Sequence, residues 1–373
     1  MADETLEATR STAPVEEANA TPEGADDDEE MPQVVFTRRS VLVFALFVIS
    51  AVAFLYFVLP RIGGLDDTWA RIRNGNAVWL VAACLLEICS YLAYMVLFRT
   101  VCVREDSPIG LWESYLITMA GVAATRLFAT AGAGGIAVTA WALRRSGMER
   151  RLVACRMVAF MVILYGVFMA TLVIGGLGLN SGLLPGGTSF AFTTVPALFG
   201  GAVILVFGAM SMLPSDFERR LREWSRGRGR FAHLAGRLAT APASIASGVR
   251  TALRLTRERD PGLLGAIGWW YFDIATLWAC FHAFGLAPPF AVVVMAYFIG
   301  QLGNVLPLPG GVGGVEGAMV GAFVGFGVEA GLALVAVLTY RAFAFWLPTI
   351  PGAVAYLQLR KTVQRWKLER VAA

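Results

Sequence analysis

Apolar residues run along this chain in stretches of about 20, long enough to cross roughly 30 Å of hydrocarbon at about 1.5 Å of helix rise per residue. Uninterrupted stretches occupy 41–60, 77–98, 152–179, 191–213, 263–285 and 331–357. Two further segments, 109–143 and 289–328, are apolar but broken by glycine, the second also by Pro307 and Pro309. The pattern predicts an all-α, polytopic helical membrane protein. Composition agrees: of 373 residues 57% are hydrophobic and 16% charged, against about 25% charged in an average soluble domain.

Basic residues place the loops, because cytoplasmic connections collect Lys and Arg. Arg38 and Arg39 precede the first span, residues 214–259 hold eleven arginines, and Arg360, Lys361, Arg365, Lys367 and Arg370 close the chain. The connections 180–190 and 286–288 carry no charge. With every basic cluster cytoplasmic, an even number of crossings separates each pair, so each broken segment contributes zero crossings or two. After its glycine break the first segment runs about 12 residues and the second about 14, roughly 18 and 21 Å of helix. Both fall short of a full crossing. Each is therefore read as a re-entrant helical hairpin, tolerated at that depth where protein or water satisfies the backbone. The expectation is about six full spans and two hairpins entering from opposite sides, with both termini cytoplasmic.

The two halves echo each other in order. Glu87-Ile88 answers Asp273-Ile274, "AGAGGIA" (131–137) answers "PGGVGGVE" (309–316), "GME" (147–149) answers "GVE" (327–329), and "RMVAF" (156–160) answers "RAFAF" (341–345). Because the two hairpins enter oppositely, this predicts an inverted repeat, an architecture that puts a transporter's site near mid-membrane between broken helices.

Charges inside spans cost about 2.5–3.5 kcal/mol each on insertion scales, so each one asks for a reason. Glu87, Asp273, Glu316, Arg156 and Arg341 lie at apparent membrane depth, joined by Glu113 and Arg126 in the first hairpin. Their near balance suggests structural ion pairs, substrate binding or a proton relay. In the second hairpin Pro307 and Pro309 end one arm by removing backbone donors. Gly310, Gly311, Gly313 and Gly314 then permit a tight turn. A helix starting near Val315 would present N–H groups and a positive dipole end suited to a phosphate or carboxylate, with Arg341 as counter-charge for Glu316 or for that ligand.

Charge and motifs narrow the remaining options. The first thirty residues hold eleven acids against Arg10, the wrong sign for a secretory leader. Residues 1–36 are expected to form a disordered acidic cytoplasmic tail. Removing the −10 of the first thirty from the formal +4 leaves +14 on the rest. Residues 37–360 make the transmembrane domain, with 214–262 a basic cytoplasmic loop and 361–373 a basic tail. Phe217, Leu221 and Trp224 form an apolar stripe on an arginine-rich helix, which reads as an interfacial helix on anionic lipid rather than a nucleic-acid site. The five cysteines lie mostly in apolar runs without a CxxC and read as buried hydrophobes. No HExxH, GxSxG or Walker sequence occurs, so no metal, nucleotide or other cofactor is expected and no residue is assigned a catalytic role.

"LPLPGGVGGVEGAMVGAF" followed by "LTYRAFAFWLPTIPGAV" resembles the flippase-like transmembrane family of lysylphosphatidylglycerol synthases, carried by Pro307, Pro309, Gly310, Gly311, Gly313, Glu316, Tyr340, Arg341 and Trp346. The resemblance covers residues 40–360 and implies lipid handling, in a free-standing member lacking the synthase domain. Relatives carry an acid in the first hairpin where Ala137 stands here, which puts a symmetric two-carboxylate mechanism in doubt. The resulting expectation is a plasma-membrane translocase (flippase) for an anionic or aminoacylated phospholipid or a polyprenyl-linked lipid. Arg341, Glu316, Gly311, Gly313, Arg126 and Arg156 would bind substrate, while Glu87, Asp273 and Glu113 balance charge or carry coupling protons. Its partners would be membrane lipids and a possible synthase. The alternatives are an intramembrane lipid-modifying enzyme and a non-transporting scaffold for a lipid or glycolipid synthase.

Overall fold

A computed structural model describes residues 74–103, 107–127, 133–187, 189–212, 245–305, 311 and 313–372. The acidic tail, the span at 41–60, Pro307, Pro309, Gly310 and the stripe Phe217, Leu221 and Trp224 lie outside these residues. Among the described residues there is no strand. The chain is an all-α polytopic membrane protein. Five helical stretches are long and apolar enough to cross a membrane: Ala77–Cys102, Arg150–Asn180, Thr194–Ser211, Pro261–Phe284 and Ala330–Glu369. Each overlaps one of the predicted spans.

The first described helix, α1 (Ala77–Cys102), starts where the Asn76 side chain accepts the Val78 N–H at 3.0 Å, satisfying one donor that the helix itself leaves unbonded. Two shorter helices follow, α2 (Leu111–Leu127) and α3 (Ala133–Arg145). Next come the long α4 (Arg150–Asn180) and α5 (Thr194–Ser211). Residues 245–258 are helical within the predicted basic loop. After a 3₁₀ turn at Pro261–Leu263, α6 (Leu264–Phe284) leads to a second short pair, α7 (Phe290–Gln301) and α8 (Gly314–Gly325). Finally α9 (Ala330–Arg341) passes through a π-helical turn, Ala342–Trp346, into α10 (Leu347–Ala372). The basic segment predicted as a tail thus continues the last helix to Ala372.

Each short pair folds back on itself. A Cβ at Gly135 would collide with Thr125 Oγ1 and lie 2.6 Å from Gly121 O, and one at Gly121 would lie 3.1 Å from Thr139 Oγ1. These contacts run in opposite chain directions, so α2 and α3 are antiparallel at near-backbone contact. Gly300 against Met319 and Gly303 against Gly314 and Val315 set α7 and α8 the same way. At 13 residues for α3 and 12 each for α7 and α8, these helices are about 18–20 Å long, shorter than the hydrocarbon thickness.

The two turns that lead out of the hairpins are built alike. Gly147 has φ 96° and Gly327 φ 85°, a region glycine enters without steric cost. Gly147 N–H donates to Arg144 O and Met148 N–H to Leu143 O; Gly327 N–H donates to Val324 O and Val328 N–H to Phe323 O. This is the same paired closure of a helix C-terminus, followed each time by a glutamate, Glu149 or Glu329, at the cap of the next helix.

The longest seam joins α1 and α6. Asn76 N–H reaches Ala283 O at 2.9 Å, while Ser90 Oγ reaches Trp269 O at 2.8 Å, so the two helices run antiparallel. Away from the seam, α1 exposes Val78, Val81, Leu85, Ile88, Leu92 and Val96. Their three-and-four spacing is one continuous helix face. Such a face is costly in water and natural against acyl chains, so the protein contacts membrane lipid directly.

Candidate functional site

Glu87 and Asp273 meet halfway along the α1–α6 seam. They are 3% and 6% exposed, and the register set by Ser90 Oγ on Trp269 O and Thr276 Oγ1 on Ala83 O places them opposite each other. Asp273 Oδ2 also accepts from Tyr297 Oη at 2.5 Å and Tyr340 Oη at 3.1 Å. A cavity of about 380 Å³ opens beside them, within the ~300–1,000 Å³ of small-molecule sites. Hairpin α2–α3 contributes Thr118, Thr125, Arg126 and Thr139 to its wall, and the second hairpin contributes Tyr297, Gln301, Asn304 and Gly311. Aromatic faces from Tyr91, Tyr94, Trp269 and Trp270 complete it, with Arg341 and Phe345 from the last helical stretch.

The π-helical turn explains how Arg126 is held. A π turn widens the backbone and offers carbonyls to outside donors. Arg126 donates to Ala344 O at 2.5 Å, Phe345 O at 2.6 Å and Thr349 Oγ1 at 3.2 Å, and also to the Tyr91 hydroxyl. These acceptors are all neutral, so none of them offsets the guanidinium charge at the cavity wall. Its Cζ lies 5.1 Å from the centre of the Phe345 ring, and that of Arg341 lies 4.5 Å from the same ring. One aromatic ring between two arginines is a favourable cation–π arrangement.

Arg341 Nε and Glu316 Oε1 are 2.7 Å apart, both side chains 9% exposed. The other oxygen, Glu316 Oε2, accepts the Gly313 N–H at 2.7 Å. The start of α8, predicted as an anion site, is thus capped by the protein's own carboxylate. Gly313 and Gly311 have φ 85° and 66°, values that glycine adopts without steric cost.

The remaining candidates stand elsewhere. The sequence echo matches Arg156 with Arg341, and Ala137 with Glu316, but Arg156 has a different kind of partner. Its guanidinium instead donates to Val101 O at 2.7 Å, near the C-terminal end of α1, where a cation opposes the helix dipole. Glu113 accepts the Gly110 N–H at 3.0 Å and closes the start of α2. The structure thus gathers Glu87, Asp273, Arg126, Arg341 and Gly311 around one cavity, with Glu316 directly behind Arg341. Arg156 and Glu113 are not among the residues lining it.

Apart from Tyr340, which belongs to the family motif, the tyrosines and tryptophans of the site carried no sequence signal beyond a core-like pattern. Two hints existed: Tyr91 lies one helical turn after Glu87, and Tyr340 immediately precedes Arg341.

A bundle of apolar helices that encloses two facing hairpins and a charged cavity defines a class of multi-pass membrane protein with an internal polar site. Residues 40–352 match the family described as the lysylphosphatidylglycerol synthase TM region; the chain belongs to this family. It is also similar to three proteins of Methanothermobacter thermautotrophicus, each named UPF0104 membrane protein. One is 24% identical over 333 residues, covering 85% of this chain and 95% of the relative. The others are 33% identical over 115 residues and 28% identical over 199, covering 31% and 48% of this chain. Those two matched stretches span only 33% and 57% of the relatives' own lengths. No solved structure matches the chain.

Proposed function

We propose that this protein is a lipid translocase, which carries the headgroup of an anionic or aminoacylated phospholipid, or of a polyprenyl-linked lipid, across the plasma membrane. The observation that carries this reading is the cavity of about 380 Å³, lined by two arginines, two carboxyls and aromatic faces, between hairpins in a lipid-facing bundle. A headgroup is polar and its acyl chains are not, so a polar cavity within the bundle lets the headgroup move while the chains stay in the bilayer. Arg126 serves as an anchor for headgroup phosphate, and the rings of Tyr91, Tyr94, Trp269 and Trp270 suit a sugar or an ammonium group.

The antiparallel packing of α1 on α6 and the matched hairpin turns support an inverted repeat, with the two hairpins entering from opposite sides and both termini cytoplasmic. In that arrangement the basic loop at 214–259 lies on anionic lipid and is available to a synthase that supplies the lipid.

The test is leaflet exchange of a headgroup-labelled anionic lipid in vesicles that contain the purified protein. Wild-type vesicles are expected to exchange label faster than protein-free ones. Arg126→Gln, checked for intact folding, should slow exchange about tenfold, the equivalent of ~1.4 kcal/mol. Wild-type exchange no faster than that of empty vesicles refutes the translocase reading.

A further inference from the structure

The Glu87–Asp273 contact leaves a specific hydrogen-bonding problem. Glu87 Oε2 and Asp273 Oδ1 are buried without a donor partner, although buried polar atoms are almost always satisfied. The register set by Ser90 Oγ on Trp269 O and Thr276 Oγ1 on Ala83 O places the two side chains opposite each other across the seam, on the same cavity. Two bare carboxylates hold only acceptors and repel at that range. One proton held by the pair supplies a donor that two carboxylates lack and removes the repulsion.

We propose that Glu87 and Asp273 form a shared-proton site, and that exchange of this proton between the two sides of the membrane drives headgroup movement through the adjoining cavity. The second clause rests on the translocase reading; the first does not.

The surroundings fit a site that can load and release a proton. Arg126 from α2 and Arg341 from α9 line the same cavity as the pair. Tyr297 from α7 and Tyr340 from α9 donate to Asp273 Oδ2. They support the carboxylate form of Asp273 when the proton leaves. Tyr91 and Tyr94 on α1, Tyr165 on α4 and Cys280 on α6 are further titratable groups near the pair or its cavity. The pair also sits on the α1–α6 seam, the contact between the equivalent helices of the two halves. A shift of one half against the other changes the carboxyl–carboxyl contact, and with it the hold on the proton. The balance is simple: one proton enters from one side and leaves to the other, and no covalent bond to the lipid forms or breaks.

The experiment has two arms, both on the full chain. In the first, infrared difference spectra of the purified protein at neutral pH are recorded in H₂O and D₂O. A protonated-carboxyl band that shifts in D₂O is expected in the wild type and is lost in both Glu87→Gln and Asp273→Asn, with thermal unfolding confirming that each variant is folded. Absence of the band in the wild type, or its survival in both variants, overturns the shared proton.

In the second arm, leaflet exchange is followed under an imposed pH gradient. Wild-type rates should differ in the two directions, and the difference should vanish in Glu87→Gln. Equal wild-type rates under the gradient overturn the coupling while the translocase reading stands. Vesicles that exchange no lipid under any condition sink the translocase reading and the coupling with it, and the infrared band still decides the shared proton.

Discussion

Replacing Arg341 with alanine is expected to destabilise the folded protein by about 3–5 kcal/mol, the usual cost of leaving one member of a buried ion pair without its partner. Glu316 is 7% exposed and depends on Arg341 for the contact at 2.7 Å. Among the described residues it also accepts the Gly313 N–H, which does not neutralise the charge. The same substitution removes the cation stacked on Phe345. Unfolding of the purified protein in mild detergent, followed by circular dichroism against a denaturing detergent, measures the loss. The double variant Glu316→Gln/Arg341→Met should recover more than half of it, because no buried charge is then left alone. A loss below about 1 kcal/mol in the single variant contradicts the pairing, since exposed pairs are the ones that contribute so little. Membrane insertion should survive the change, because apolar length and the basic loops govern it.

The second large effect belongs to Gly265. A Cβ there would run into Ala93 O and lie 2.9 Å from Leu97 N. Both obstacles are backbone atoms of α1, which cannot swing aside as a side chain does. Gly265→Leu is expected to cost about 3 kcal/mol, the upper end of overpacking penalties. By prising α6 away from α1 it should also weaken the contact between Glu87 and Asp273. Gly166→Leu is the matched control: a Cβ at Gly166 meets nothing within 4 Å, so its change should stay within about 0.5 kcal/mol. Equal effects at the two positions would mean that the α1–α6 seam is not packed as described.

The long spans were legible because hydrocarbon length leaves few alternatives. The span predicted at 152–179 is α4, Arg150–Asn180, and that at 77–98 is α1, Ala77–Cys102. The last helix was underestimated because its basic residues look like a solvated tail. Leu359, Val363 and Trp366 stay buried on one face while Arg360, Lys361 and Arg365 point outward, so the helix continues as an amphipathic one.

The charged part of the site was legible for a related reason: a charge inside an apolar run is costly enough to mark itself. Its partners were not. Tyr297 and Trp270 look like core residues until the helix they face is known. The π-helical turn that holds Arg126 depends on a hydrogen-bond shift that no local composition signals. Arg156 shows how a sequence echo can mislead, because it matches Arg341 in sequence order only. It donates to the Val101 carbonyl rather than to a carboxylate. Glu113 is the converse case: a charge that counted as membrane-embedded in the sequence serves as the cap of α2.

The most direct test of a headgroup pathway is two-sided access to the cavity. Val122 on α2 lines the cavity, and Val122→Cys on a cysteine-free background gives a small probe there. The protein is reconstituted in one orientation and treated with a membrane-impermeant thiol reagent from each side in turn. Label is expected from both sides, with both reactions slowed by a short-chain anionic lipid. Label from one side only, unchanged by lipid, would mean a closed-ended pocket and would contradict translocation through this cavity.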